Sequence, residues 1–272
     1  MAEESADLRK EIDKLMMFFK SRDCNLIDSG IELIRSMDDP SIFEVLLDAC
    51  SIDNEGKFVR SSLFTGNGPE QPYLDYALLN LIAYAPEDCN LDASLKRSNI
   101  ESLSFDIIVR GKYAIQSWTE LPLGIGCFSN LVNLDLGGCK SLRNIDGLVN
   151  LVNLTKLNLG NCTSLQNADK LVNLTNLTSL NLTHCVSIVN PKNSEMTTRE
   201  EVIEYQDKIR LVMALRDRDT DVLSDYKDVT ELDLGRCDSL ENVDGLVNFS
   251  KLASLKLSGD SLSVSPAENE MG

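Results

Sequence analysis

Four cysteines and one histidine are the residues best equipped for chemistry in this chain, and their spacing decides what chemistry is open to them. Cys139, Cys162 and Cys185 follow one another at intervals of 23 residues, and Cys237 repeats their surroundings after a longer gap. His184, the single histidine, stands beside Cys185. Thiolates with an imidazole suggest zinc, but a structural zinc site needs four ligands converging about 2.3 Å from one ion. A regular long period predicts a row of thiols instead, about one strand spacing (~4.8 Å) apart, and no Cys-x-x-Cys pair occurs. In such a row a thiol acts as a small apolar filler with a weak donor. We therefore read Cys139, Cys162, Cys185 and Cys237, with Asp260 at the same place in a last degraded copy, as a structural ladder. Metal and cofactor are not expected.

Catalysis finds no constellation either. A Ser-His-Asp or Cys-His arrangement would have to use His184, and nothing in the sequence marks a partner for it. Gly66-Asn-Gly-Pro69 lacks the Lys-Ser/Thr of a phosphate loop and reads as a turn. Asn153-Leu-Thr, Asn173-Leu-Thr and Asn181-Leu-Thr fit the glycosylation pattern, but a repeat rich in Asn and Thr generates such triplets on its own. The expectation is a protein that is not an enzyme.

What positions these residues is a repeat. Leu134-Asp-Leu-Gly-Gly-Cys139, Leu157-Asn-Leu-Gly-Asn-Cys162 and Leu180-Asn-Leu-Thr-His-Cys185 share one frame, which returns at Leu232-Asp-Leu-Gly-Arg-Cys237 and, weakly, at Leu255-Lys-Leu-Ser-Gly-Asp260. The Leu-x-x-Leu-x-Leu part alternates with period two, as a short strand with one buried face does. Stacking coil on coil sets these strands side by side as a parallel concave sheet. Ile100 to Phe105 fits the frame loosely and reads as an atypical first coil. Leu180 and Leu232 are spaced 52 residues apart where 23 are expected. The surplus, about residues 194–222, opens with a capping box, Thr198-Arg-Glu-Glu201, followed by the apolar stripe Val202, Tyr205, Ile209, Val212. It predicts a helix that leaves the array and folds back on it.

Residues 98–262 resemble the leucine-rich repeat family, with Cys at the Asn/Cys position of Leu-x-x-Leu-x-Leu-x-x-Asn/Cys-x-Leu. Ile145-Asp-Gly-Leu148 and Val243-Asp-Gly-Leu246 look like the short-backed, non-helical class of these repeats. The resemblance implies an α/β solenoid: a curved array over 98–265 with a parallel concave sheet and one helical insertion. A small all-α domain precedes it over 1–97, and a polar tail follows over 266–272. In that first part Ile12, Leu15, Met16 and Phe19 share one helical face, Ile27, Ile31 and Ile34 mark a second helix, and Ser41-Ile-Phe-Glu44 reads as a capping box opening a third.

The formal net charge of −17 argues against nucleic acid or an anionic membrane surface and towards a basic partner, if charge steers anything. A hydrophobic share of 43% is ample for a core. The start shows no secretory signal and no apolar run long enough to span a bilayer, so a cytoplasmic chain with reduced thiols is expected; export by a route without such a signal stays open. The function this implies is a protein-protein interaction scaffold. Its candidate contact residues are Asn133, Asp135, Lys156, Asn158, Asn181 and Asp233 on the concave strands, His184 and Arg236 at their ends, and Tyr205, Arg210 and Arg216 on the inserted helix. The alternative is an adaptor or secreted effector whose N-terminal helices recruit machinery while the repeats select a target. The partner, the binding face and the oligomeric state are left open.

Overall fold

The computed structural model describes residues 2–21, 23–37, 39–48, 50–59, 71–86, 89–90, 92–104, 119–189, 194–235 and 244–258. Arg236, Cys237, Asp260, the 66–69 turn and the 266–272 tail lie outside the described residues. Helices come first. α1 (Ala2–Phe19) and α2 (Cys24–Met37) meet through Ile12, Leu15, Met16 and Phe19 on one side and Ile27, Ile31 and Ile34 on the other, all buried. α3 (Pro40–Leu47) begins one residue before the expected capping box. Asp39 is its N-cap, accepting from the Ser41 N–H at 2.9 Å, and Pro40 fills the first helical position, where its fixed φ is an advantage. Glu44, expected to close the box, accepts instead from the Asn90 N–H at 2.7 Å. The polar stretch that follows holds an antiparallel hairpin, β1 (Ser51–Ile52) and β2 (Phe58–Val59), turned on the Asp53 carboxylate, which accepts from Glu55 and Lys57.

α4 (Gln71–Tyr84) is the keystone of this layer. Every residue from Tyr76 to Ala83 is buried, the mark of a helix covered on all sides. Helices α1 to α3 cover one flank, and the 3₁₀ turn Leu123–Cys127 of the first coil covers the other. Asn80 sits fully buried between them: its Oδ1 accepts from the Gly124 N–H at 2.9 Å, and its Nδ2 donates to Asp28 at 3.4 Å. Asp28 also accepts from the Tyr76 hydroxyl at 3.0 Å. Only glycine fits at 124, because a Cβ there would strike that of Ala83. The helices thus cap the array, and one core runs from Ile12 to Phe249.

Burial holds the Asp28 carboxyl above its ordinary range against the lowering effect of the Tyr76 bond, with Glu32 and Glu120 pushing the same way as burial. A raised folded pKa means that the folded state binds the proton more tightly than the unfolded chain. The contribution of this group is therefore present below the unfolded carboxyl pKa and lost as pH rises through the raised value. Asp28→Asn keeps the acceptor for Tyr76 and removes the charge. Urea unfolding at a series of pH values is expected to show a smaller loss of stability with rising pH in the variant than in the parent; equal slopes would refute the assignment.

The coils follow in register. Strands β3 (Ser102–Ser104), β4 (Asn133–Asp135), β5 (Lys156–Asn158) and β6 (Ser179–Asn181) are parallel, with Leu103, Leu134, Leu157 and Leu180 aligned. Each regular coil returns along a 3₁₀ turn, 146–150 and then 169–173. From Leu131 to Leu182 the leucines at the repeat positions are buried, each contributing roughly 2 kcal/mol before chain entropy is counted, whereas Leu255 of the last coil is 38% exposed. The bend after each strand is left-handed: Gly138, Asn161 and His184 have φ of 81°, 63° and 63°. Glycine takes that conformation freely, and Asn and His are among the side chains that tolerate it.

The sheet does not continue through all the coils as expected. The inserted segment puts β7 (Glu195–Met196) antiparallel against the free edge of β6, where the Leu182 N–H donates to Ser194 at 2.6 Å. Then come α5 (Arg199–Asp217) and α6 (Thr220–Ser224), and β8 (Glu231–Gly235) pairs with β9 (Ser254–Ser258) in a sheet of their own. The open edge of β6 is thus satisfied by β7 and not by β8. The opposite edge is covered too, since the Ser104 N–H donates to Gly56 of the hairpin at 2.9 Å. Both ends of the five-stranded sheet are thereby blunted.

Helix α5 is capped by Thr198 and Glu201 and packs across the back of the third coil. Val202, Tyr205, Ile209, Val212 and Leu215 are buried. Gln206, with Asn80 one of two fully enclosed polar side chains among the described residues, donates to the carbonyls of Leu171 at 2.6 Å and Leu174 at 3.1 Å. Arg199 does the same for Leu177 at 2.7 Å.

Candidate functional site

On the concave side the strand register sorts the outward side chains into two rows. One runs Ser102, Asn133, Lys156, Ser179; the other runs Ser104, Asp135, Asn158, Asn181, Glu195. Together with Glu55 from the hairpin they line a shallow trough of about 450 Å³. The second row is internally bonded. Asp135 accepts from the Gly137 N–H and from Asn158 Nδ2, both at 2.8 Å, while Asn158 and Asn181 accept from the Gly160 and Thr183 N–H groups at 2.9 Å. These bonds fix the rotamers, so the row is a pre-set surface. Lys156 stands exposed in the first row. Beside it Asn133 Oδ1 is shut off from solvent without a hydrogen-bond donor, an arrangement that costs about 1–3 kcal/mol.

Of the residues expected to make contacts, Asn133, Asp135, Lys156, Asn158 and Asn181 come together here. His184 lies exposed at the left-handed bend beyond β6. Asp233 belongs to the second sheet, where Lys256 donates to it at 3.2 Å. The helix residues are engaged elsewhere. Tyr205 is buried, its hydroxyl donating to Val189 at 2.9 Å, which removes it as a contact residue. Arg210 pairs with Asp207 of its own helix, and Arg216 bridges to Asp169 of the third coil at 2.8 Å. Among the described residues the seam around Tyr205 between the insertion and the array is core: Val202, Tyr205, Ile209, Val212 and Leu215 are all buried. Ser102, Ser104, Glu55 and Glu195 were not foreseen as lining residues, since no local pattern places a hairpin or a reversed strand on the sheet edge. Asn80 did leave a signal, a polar residue within an apolar run, whereas Gln206, flanked by Glu204, Asp207 and Lys208, left none.

The thiol ladder is carbonyl-bonded. Cys162 Sγ donates to Leu136 at 3.4 Å and Cys185 Sγ to Leu159 at 3.1 Å. Burial pushes Cys139 up to about 12 and Cys185 up to about 11, and raises Cys162 as well. Thiolates, the nucleophilic and metal-binding form, are thus disfavoured, and no cluster of three or more metal-ligating side chains occurs among the described residues. Two further ladders run beside it. Asn130, Asn153 and Asn176 donate to Ser98, Ser129 and Val152 at 2.8–2.9 Å, and Thr155 and Thr178 donate to Val132 and Thr155. Asn153 thus has a structural use that accounts for its triplet. In a native-state titration with an aromatic disulfide, exposed Cys127 is expected to react, while Cys139, Cys162 and Cys185 react only on unfolding. Rapid labelling of the three, read by peptide mapping, would contradict this.

One strand, one bend and one short 3₁₀ return per 23 residues, stitched by in-register ladders, define a solenoid of stacked coils with parallel strands. No family model matches the chain, and no curated protein is similar to it in sequence. Among solved structures it is similar to an internalin (InlF) of Listeria monocytogenes at 16% identity and a TM-score of 0.25, over 66% of this chain and 54% of that one. A second likeness is to internalin C2 (InlC2) of the same organism, at 16% identity and a TM-score of 0.25, over 67% of this chain and 92% of that one. The chain spans about half the length of the InlF structure. The solenoid architecture stands on the registers and ladders rather than on these likenesses. No described helix is long and apolar enough to cross a membrane.

Proposed function

We propose that the protein is a non-enzymatic binding scaffold whose concave sheet, from Ser102 to Glu195, holds a protein partner. The observation that carries this reading is the trough itself: two rows of polar side chains on rigid strands, one row locked by its own hydrogen bonds. Preorganised surfaces of this kind lose little entropy on binding. The acidic balance of the chain favours a basic partner. The test is partner capture from lysate of the protein's own source, comparing the parent with Lys156→Glu and Ser179→Trp, both at strand positions pointing out of the core. A partner held by the parent and released by both variants supports the reading. A partner that ignores both places the site elsewhere and overturns it.

The adaptor reading has one observation in its favour. Leu26 and Leu33, seven residues apart on α2, are both about half exposed, and Met17 of α1 is 77% exposed. Retention of a partner by the concave variants but not by Leu26→Glu with Leu33→Glu would shift the assignment to the helical cap.

A further inference from the structure

We propose that the occupant of the concave trough is an extended protein segment of the order basic–acidic–x–x–basic, or its reverse, basic–x–x–acidic–basic. This rests on the concave sheet being the binding face and adds what lies upon it. The charges in the trough are few: Glu55 stands at its β3 end, paired with Lys57 of its own hairpin at 2.7 Å, and three more lie on the strands. Asp135 and Glu195 share one row, on β4 and β7, three strand spacings or about 14 Å apart. Lys156 occupies the other row on β5, one spacing (about 4.8 Å) from β4. The two rows are two residues apart along each strand, about 6.8 Å.

An extended chain laid along the rows advances about 3.4 Å per residue and turns successive side chains to opposite flanks. Positions i and i+4 are then about 14 Å apart on one flank, matching Asp135 and Glu195. Position i+1 falls on the other flank within about 1.5 Å of the level of Lys156, so it carries the opposite charge. Reversing the chain direction gives the mirror order. A helix, about 10 Å wide, would ride above both rows instead of between them. The small side chains Ser102, Ser104 and Ser179 leave room for a main chain, and a backbone N–H passing over Asn133 would supply the donor that Oδ1 lacks once that amide turns outward. A uniformly acidic segment meets Asp135 and Glu195, and a uniformly basic one meets Lys156.

The probes are labelled serine-rich peptides containing Lys-Asp-Ser-Ser-Lys or Lys-Ser-Ser-Asp-Lys, titrated with the full chain by fluorescence anisotropy at low salt. A third peptide of equal composition carries the order Asp-Lys-Lys-Ser-Ser. One patterned peptide is expected to bind about tenfold more tightly than the reordered one. Lys156→Glu should abolish that preference, and replacing the peptide's Asp by Lys should restore it on that variant. Equal binding of patterned and reordered peptides, or binding of none, overturns the proposal. If Lys156→Glu nevertheless releases a captured protein partner, only the segment assignment falls and the concave site stands. A concentration-dependent dimer dispersed by Lys156→Glu would assign the trough to a second copy of this chain, which also overturns it.

Discussion

Ile209→Asp is expected to unfold the protein. Ile209 is fully buried at the seam between α5 and the third coil, with the carbonyls of Leu171 and Leu174 occupied by Gln206 one turn away. A carboxylate there has no cation to meet and no water to solvate it. The cost of an uncompensated buried charge is on the order of 4 kcal/mol, to which the lost apolar burial adds roughly 2 kcal/mol. That total approaches the whole stability of an ordinary domain. The control lies on the same helix: Ile203, 38% exposed, should accept Asp with a change within about 0.5 kcal/mol. Circular dichroism and urea unfolding decide the matter. If Ile209→Asp melts like the parent, the insertion is a peripheral appendage and its description as core is wrong.

Removing the whole insertion is expected to do less harm than charging one of its residues. Deletion of residues 194–222 joins Asn193 to Leu223 and sets Leu180 and Leu232 at the 23-residue period. Leu223, Tyr226, Val229 and Leu232 then stand at three-residue intervals, as Leu171, Leu174, Leu177 and Leu180 do one coil earlier. The turns already agree. The Tyr226 N–H donates to Leu223 at 3.1 Å and that of Val229 to Tyr226 at 3.0 Å, against 3.1 Å for both equivalents, Leu174 to Leu171 and Leu177 to Leu174. The helix has been placed inside a coil whose second half remains intact. Without it, the exposed end of coil three and the start of β8 can cover each other, in the nearest-neighbour manner of stacked repeats. The shortened chain should unfold cooperatively, with Leu232 and Leu234 amides as protected from hydrogen exchange as those of Leu157 and Leu159. An aggregating or non-cooperative product would show that the split coil cannot re-form.

The contrast locates what the residues announce and what they conceal. The 23-residue frame was legible because solenoid coils touch only their neighbours, so each core position must be filled again one period later. Leu134, Leu157 and Leu180, and the thiols of Cys139, Cys162 and Cys185, follow from that necessity. The capping box at Thr198 was legible for the same local reason. The third helix is capped two residues earlier than the capping box suggests, because Ser41-x-x-Glu44 imitates a cap while Asp39 and Pro40 supply a better one.

Long-range competition was not legible. Nothing local to Glu195 and Met196 says that they reverse direction and take the edge of β6 ahead of β8, since a strand edge is offered to whatever segment arrives. Tyr205 stands in the apolar stripe with Val202, Ile209 and Val212, which marks it for burial, but nothing local says that its hydroxyl meets the carbonyl of Val189. The sequence by itself therefore determined the period, the leucine core and the inert character of the cysteine ladder, because these depend on neighbours at a fixed distance along the chain. Tertiary structure alone decided that the sheet is split in two, that the inserted helix seats on the 169–173 turn of the third coil, and that Glu55 and Glu195 close the ends of the concave trough. Those outcomes depend on which distant segments complement an unsatisfied edge or an uncovered apolar face, and only the folded chain brings them together.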